Sequence, residues 1–126
     1  MDEGIAIAEV ARLTGLTAHT LRYYERAGLM LSPPPRGVNG HRSYTQRDLA
    51  WVILLSRLRA TGMSIAGMRR YAELAGSGVP TVRERLELLL AHREQVAARV
   101  EQLREDLTLI DRKIETYRKN IEENHV

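Results

Sequence analysis

Residues 17–29 read TAHTLRYYERAGL, a stretch that predicts a helix with two different faces. Thr17 is a residue type that caps the N-terminus of a helix, and Gly28 is a type that ends one. A helix between them turns Leu21 and Tyr24 towards a core, while four polar or aromatic residues at i, i+3, i+4 and i+7 share an exposed face. These four are His19, Arg22, Tyr23 and Arg26. Such a face, called the recognition face below, is expected to bind something outside its own core.

A shorter helix is predicted just before this one. Residues 5–13 read IAIAEVARL and carry apolar residues at helical spacing. The helix is expected to stop at Thr14 and Gly15, because glycine readily adopts the left-handed conformation of a tight turn. Two short helices joined by a glycine-containing turn predict a helix-turn-helix.

The next segment, residues 31–45, reads LSPPPRGVNGHRSYT. Its three consecutive prolines exclude a helix, and Asn39-Gly40 is a strong signal for the bend of a β-hairpin. A hairpin beside a helix-turn-helix is a wing. The wing would add a second group of basic and aromatic side chains, namely Arg36, His41, Arg42 and Tyr44.

Two further helices are predicted before residue 77. Thr45 and Asp48 have the spacing of a capping box that opens the third helix, which ends near Gly62. Ser64 caps the fourth. The run GSGVP that follows it predicts a hinge at residues 77–80.

A long amphipathic helix is predicted beyond the hinge, opened by a second capping box at Thr81 and Glu84. Its apolar residues alternate in steps of four and three, which is the pattern of a coiled coil. Eleven of the twelve positions in this pattern, called the seam below, are apolar. The seam consists of Val82, Leu86, Leu89, Arg93, Val96, Val100, Leu103, Leu107, Ile110, Ile114, Tyr117 and Ile121. Arg93 either extends its charged end to solvent or sets the pairing register.

A helix over residues 81–120 would be about 60 Å long, and nothing else in the chain is large enough to cover its stripe. Folding back on its own domain would account for the first three turns only. The sequence therefore predicts self-association. The residues predicted to dimerise are Leu86, Leu89, Val96, Val100, Leu103, Leu107, Ile110 and Ile114.

Charge is spread unevenly along the 126 residues. Residues 1–75 hold 10 Arg or Lys against 6 Asp or Glu, a net charge of +4, whereas residues 76–126 hold 9 against 10, a net charge of −1. Arginine and tyrosine can both bond phosphate oxygens, and donors near the start of a recognition helix suit entry into the major groove. A basic first half thus predicts binding to a polyanion, namely double-stranded DNA.

Several classes of protein are not expected. The absence of cysteine excludes disulfides and thiolate metal sites, and the four histidines lack ligand spacing, so no metal site is predicted. No apolar run approaches the ~18 residues of a membrane span, and the N-terminus lacks the basic start of a signal peptide. No nucleophile elbow or Gly-rich phosphate loop occurs. We therefore predict a cytoplasmic protein that is not an enzyme and needs no cofactor.

Three blocks in order, residues 7–29, 39–49 and 58–71, together resemble the MerR family of bacterial transcription regulators. The blocks read IAEVARLTGLTAHTLRYYERAGL, NGHRSYTQRDL and LRATGMSIAGMRRY. The resemblance covers roughly residues 5–75, and the long last helix is similar in placement to the family's dimerisation helix.

The resemblance implies a role for each matching residue. Arg22 and Tyr23 match a phosphate-clamping pair. Thr17, His19 and Thr20 occupy the start of the recognition helix. Other matches are Arg42 and Tyr44 in the wing, and Arg59 in a second turn that approaches the DNA backbone.

The family also implies a mode of action. Its members are homodimers that pair their long helices antiparallel and bind pseudo-palindromic promoters. They act on RNA polymerase indirectly, by bending and untwisting an over-long promoter spacer when an effector binds. Within the family, the sequence is most similar to a subgroup associated with aldehyde or electrophile stress. That subgroup often carries a cysteine where this chain has Ser56-Arg57, so thiol sensing is not implied, and the effector is left open.

The expected fold is all-α with a small β-hairpin wing: a winged helix-turn-helix DNA-binding domain over residues 1–76, a hinge at 77–80 and a coiled-coil dimerisation helix over 81–121. The rival hypothesis is a coiled-coil adaptor or anti-repressor whose helix-turn-helix binds protein. Interleaved Arg and Tyr argue against that rival, because a protein-binding surface needs an apolar centre.

Overall fold

A computed structural model describes residues 4–31 and 43–124 of the chain. The described part is mostly helical, with one small two-stranded sheet and a long C-terminal helix, which confirms the predicted fold class. The elements in chain order are β1 (Ile5–Ala6), α1 (Ile7–Thr14), α2 (Ala18–Arg26), β2 (Ser43–Tyr44), α3 (Gln46–Ala60), α4 (Ile65–Gly76), a 3-10 turn (Val79–Thr81) and α5 (Val82–Glu123).

The turn between α1 and α2 forms as the sequence predicts. Gly15 has φ of 74°, in the left-handed region, and its N–H donates to the carbonyl oxygen of Ala11 at 2.9 Å. The Thr14 hydroxyl donates to the carbonyl of Val10 at 2.8 Å and accepts the N–H of Leu16 at 3.2 Å. Side-chain and backbone bonds therefore fix the angle at which α2 leaves the turn.

The first helix begins later than predicted. Ile5 and Ala6 form β1, which pairs antiparallel with β2 so that Ile5 lies opposite Tyr44 and Ala6 opposite Ser43. The helical spacing of residues 5–13 did not reveal this strand, because its partner lies almost forty residues away. The predicted hairpin bend at Asn39-Gly40 lies outside the described residues.

Helices α3 and α4 begin at the predicted caps. The Thr45 hydroxyl accepts the N–H of Asp48 at 3.0 Å, and the Asp48 carboxylate accepts the N–H of Thr45 at 2.9 Å, which completes the capping box. The Ser64 hydroxyl accepts the N–H of Gly67 at 3.0 Å.

Two apolar clusters form the core. The larger joins residues of α3 and α4 with Tyr24 and Leu29, and it includes a stacked pair, Trp51 and Tyr71, whose ring centroids are 5.5 Å apart. The smaller consists of Val10, Leu21, Tyr44 and Val52, so it unites α1, α2, β2 and α3. Together they lock both helices of the helix-turn-helix onto α3.

The segment predicted as a hinge is a structured turn. The Thr81 hydroxyl bonds to the carbonyl oxygens of Leu74 and Gly78, and Arg85 donates to the same Gly78 carbonyl at 2.8 Å. These bonds take the place of the predicted capping box between Thr81 and Glu84, which was wrong. The spacing of Thr81 and Glu84 did not reveal that carbonyl oxygens at and after the end of α4 compete for the Thr81 hydroxyl.

The chain divides into two compact units, between Leu89 and Leu90. The first unit thus extends past residue 76, where the predicted DNA-binding domain ends, because the half-buried Leu88 and Leu89 pack against the larger core cluster. In the second unit, every residue from Leu90 to Asn124 is exposed or half-buried.

None of the helices in residues 4–31 and 43–124 combines the length and apolar character that a membrane crossing requires.

Candidate nucleic-acid interface

The N-terminus of α2 is organised by two threonines that the sequence singled out. The Thr17 hydroxyl accepts the backbone N–H of Thr20 at 3.0 Å, and the two hydroxyls lie 3.0 Å apart in a second hydrogen bond. Thr17 is exposed and Thr20 is half-buried. The helix therefore starts at a defined residue, with its free N–H groups at an accessible end.

The two faces of α2 divide as predicted. Leu21 is 1% exposed and Tyr24 4%, so both belong to the core. His19, Arg22, Tyr23 and Arg26, the recognition face, are all exposed. Of the adjacent tyrosines, one therefore lies inside and the other, 41% exposed, lies outside.

The arginines of this face differ from Arg12 of the preceding helix. Arg12 pairs with Glu9, and its guanidinium lowers the pKa of that carboxyl. Among the described residues, no carboxylate pairs with Arg22 or Arg26. The positive charge of the recognition face is thus available to an external anion.

Tyr44 does not lie where the sequence predicted. Its side chain is 0% exposed, and its hydroxyl donates to Oε1 of Glu25 in α2. The prediction that Tyr44 contacts DNA is therefore wrong for its side chain. Successive residues of a strand point to opposite faces of the sheet. In β2, which pairs with β1 at Ile5, the side chain of Tyr44 points into the core.

Arg59, predicted to contact the DNA backbone, lies exposed at the end of α3. Its Nη1 donates to the carbonyl oxygen of Met63 at 3.1 Å and so braces the turn before α4. Arg59 also acts on the core: burial raises the pKa of the Tyr24 phenol, and the nearby positive charge partly opposes that rise.

The remaining predicted wing contacts, Arg36, His41 and Arg42, lie outside the described residues.

Two contacts that the sequence did not reveal hold the C-terminal end of α2. Trp51 Nε1 donates to the carbonyl of Leu29 at 2.8 Å, and Arg69 Nε donates to the carbonyl of Ala27 at 2.9 Å. These residues are 22 and 42 positions apart, so no local pattern links them. Helices α3 and α4 thereby fix the direction in which α2 presents its recognition face.

A second candidate surface is the seam of α5. Leu86, Val100, Leu103, Leu107, Ile110 and Ile114 are 42 to 66% exposed, although all are apolar. Val96 is half-buried, and Leu89 is half-buried against the core of its own chain. Most of the predicted dimerisation residues are therefore uncovered within a single copy.

No group of three or more acidic, histidine or cysteine side chains that could hold a metal ion occurs in the part of the chain that the structure describes.

Comparison with known proteins identifies the family. The sequence profile described as MerR HTH family regulatory protein matches residues 5–74, and the profile described as MerR, DNA binding matches residues 49–112. An uncharacterized HTH-type transcriptional regulator of Haemophilus influenzae is 37% identical over 112 residues, which cover 89% of this chain and 82% of that protein.

Two solved structures share the fold. HiNmlR, a MerR family regulator lacking the sensor domain and bound to promoter DNA, matches with a TM-score of 0.83 and 35% identity, covering 93% of this chain and 92% of that one. A MerR family transcriptional regulator from Listeria monocytogenes matches with a TM-score of 0.84 and 33% identity, covering 96% and 87%. Since the family profile spans more than half of the chain and the relative aligns along most of both lengths, this chain belongs to the MerR family of helix-turn-helix transcriptional regulators.

Proposed function

We propose that two copies of the chain bind a pseudo-palindromic promoter and control transcription by distorting its spacer DNA. RNA polymerase is affected indirectly, through the shape of the promoter. The observation that carries this proposal is the exposed recognition face on a helix whose other face is locked into the core.

The arrangement of α2 suits this role. Its N-terminal residues Thr17, His19 and Thr20 would approach base edges in the major groove, while Arg22 and Tyr23, one turn on, would contact the flanking phosphates. Arg26 and Arg59 would extend the phosphate contacts. We propose that Arg36, His41 and Arg42 add contacts from the wing.

Dimerisation would bring a second recognition face to the DNA. Two recognition faces at a fixed separation match two half-sites of a pseudo-palindrome. The apolar seam of α5 provides the surface for pairing, since it would otherwise stay in water. That HiNmlR, similar over nearly the whole chain, is bound to promoter DNA supports this proposal.

Spacer distortion follows from the geometry of DNA. One turn takes about 10–10.5 bp, so an over-long spacer puts the two polymerase elements out of rotational phase. Untwisting and kinking restores the phase at a cost of a few kcal/mol, which contacts at both half-sites offset. We propose that the protein acts in the bacterial cytoplasm as a regulator without catalytic activity.

The rival is a coiled-coil adaptor whose helix-turn-helix binds protein. The recognition face argues against it, because two arginines and a histidine replace the apolar centre that protein interfaces need.

A salt titration of duplex binding tests the proposal. Because phosphate contacts release counterions, affinity should fall steeply with the logarithm of salt concentration, and Arg22→Ala should make the slope shallower by about one unit. Arg112→Ala, which removes an exposed arginine of α5, is the matched control and should leave the slope unchanged. A salt-independent affinity would favour the adaptor.

A further inference from the structure

Arg69 of α4 is an exposed arginine that bonds to the end of the recognition helix. Its Nε donates to the carbonyl oxygen of Ala27, the residue that follows α2, at 2.9 Å. We infer that Arg69 is a further phosphate-binding residue, whose bond to α2 holds its guanidinium next to the recognition face while its Nη groups bind the DNA backbone. The inference rests on the proposed function and adds a contact from α4.

The backbone at the end of α2 leaves the Ala27 carbonyl to a side-chain donor. Gly28 has a φ of 75°, and the N–H groups of Gly28 and Leu29 donate back to carbonyl oxygens of the last helical turn at 3.2 and 3.0 Å. These two bonds form a Schellman motif, which ends many helices. The Ala27 carbonyl takes no part in the motif, and Arg69 supplies its donor from 42 residues away.

The bond to Ala27 occupies only part of the guanidinium. An arginine side chain has five N–H donors, and this bond uses the one on Nε. The four on Nη1 and Nη2 have no hydrogen-bond partner among the described residues, and no described carboxylate forms an ion pair with Arg69. Arg69 therefore keeps its charge and a planar set of donors, which suits phosphate oxygens.

The adjacent Arg70 differs from Arg69 in both respects. Its guanidinium lies 3.9 Å from the carboxylate of Glu73 in α4 and 3.8 Å from that of Glu84 in α5. Glu73 is four residues after Arg69, a spacing at which the two could also pair on the helix surface. In the structure, Glu73 pairs with Arg70 instead. The charge of Arg70 is thus opposed within the chain, whereas that of Arg69 is left for an external anion.

A simpler reading is that Arg69 only caps α2. The C-terminus of a helix carries a partial negative charge, which favours a basic side chain there. Capping needs a single donor and gives the charge of Arg69 no role in DNA binding. However, the capped residue directly follows Arg26, the last member of the recognition face. A duplex whose phosphates contact Arg22 and Arg26 therefore also meets the guanidinium of Arg69.

The bond to α2 makes this arginine a better phosphate contact than a freely moving one. A guanidinium already held by a carbonyl loses less side-chain entropy when it binds an anion. The bond also ties a bound phosphate to the backbone at the end of the recognition helix. Because phosphate contacts set the register of a protein on its duplex, Arg69 would help to fix the position of α2 along the groove.

The salt dependence of duplex binding separates a phosphate contact from a cap. Arg69→Gln removes the charge, so the slope of affinity against the logarithm of salt concentration should become shallower by about as much as in Arg22→Ala. Affinity at low salt should fall at least about tenfold. Arg69→Lys keeps the charge but not the planar donors, and it should keep the slope while losing less affinity. Arg70→Gln is the matched control and should leave the slope unchanged.

A double-mutant cycle with modified DNA locates the phosphate. The probe is a duplex that the wild-type protein selects from a random pool, with single phosphates replaced by uncharged methylphosphonates. One position in each half-site should weaken binding of the wild-type protein and of Arg70→Gln, yet have little effect on Arg69→Gln, which has already lost the contact. If no position shows this coupling, Arg69 does not bind a phosphate.

The outcomes separate this inference from the proposed function. A shallower slope in Arg22→Ala together with an unchanged slope in Arg69→Gln would leave Arg69 as a helix cap and overturn the inference alone. A wild-type affinity that does not depend on salt would overturn the proposed function as well. Urea unfolding checks that Arg69→Gln is folded, which is expected because Arg69 is exposed.

Discussion

The two compact units of this chain use apolar residues in opposite ways. In the first, the apolar side chains close on one another, and seven large ones are less than 2% exposed: Tyr44, Leu21, Leu29, Leu55, Met68, Val10 and Val52. In the second, no described residue is buried, and leucines such as Leu103 and Leu109 are 66 and 62% exposed.

The difference shows that an apolar pattern indicates which surface must be buried. It does not indicate which segment, or which second chain, buries that surface. The short helices of the first unit can turn back on each other at glycine turns. The helix of the second cannot, because α5 runs from Val82 to Glu123 without a glycine or proline. Within a single copy most of its seam stays exposed, and we propose that a second chain covers it.

The largest expected effect is the loss of dimerisation through the seam of α5. Leu103→Asp places a charge in the centre of the seam and should weaken dimerisation at least about 100-fold, measured by analytical ultracentrifugation. Leu109→Asp is the matched control, because Leu109 is similarly exposed but lies off the seam. Equal behaviour of the two variants would contradict the assignment of the seam.

The next effect compares the stability loss caused by the same substitution, leucine to alanine, at a buried and at an exposed position. Leu55→Ala removes a fully buried side chain, and it should lower the free energy of unfolding of the first unit by about 2–5 kcal/mol at every protein concentration. Leu103→Ala should lower the melting temperature by an amount that depends on concentration, because it acts through association. Thermal scans over a dilution series distinguish them, and a concentration-dependent loss for Leu55→Ala would contradict the comparison.

A smaller effect concerns the contact between the sheet and α2. Tyr44→Phe removes the donor to Glu25 and leaves a carboxylate short of one partner, so it should cost about 1–3 kcal/mol in urea unfolding. Tyr23→Phe, at a 41% exposed residue of the same unit, is the control for unfolding and should cost little. The salt dependence of duplex binding should stay unchanged in Tyr44→Phe, since its hydroxyl does not face outward; a shallower slope would restore Tyr44 as a phosphate contact.

The smallest effect tests a helix cap of the first unit. Thr45→Ala removes the acceptor for the N–H of Asp48 and should cost about 1 kcal/mol, whereas Thr45→Ser keeps the hydroxyl and most of the stability. Chemical denaturation measures both variants. Equal losses would indicate that the methyl group of Thr45, rather than its cap, provides the stability.

Features set by neighbouring residues were predictable from sequence. The caps at Thr17, Thr45 and Ser64 and the turn at Gly15 each depend on atoms within four residues, and each forms as predicted. The inward and outward faces of α2 were predictable for the same reason, because the helical repeat fixes them. The exposed part of the candidate site was thus accessible without a structure.

Features set by distant partners were not. The strand at Ile5–Ala6, the buried hydroxyl of Tyr44 and the bond from Arg69 to Ala27 each join segments that are far apart in the chain. Thr81 shows the same limit over a shorter distance: its spacing to Glu84 matched a cap, but the hydroxyl bonds to the carbonyl of Leu74 instead.

The order of the amino acids was enough to predict the helices, the two faces of α2 and the apolar seam, because each follows from residue types spaced at the helical repeat. The burial of Tyr44, the end of the first unit and the bonds that hold α2 in place became known only from the tertiary structure. Those outcomes depend on which distant groups compete for each hydrogen bond and each patch of apolar surface, and a one-dimensional pattern carries no record of that competition.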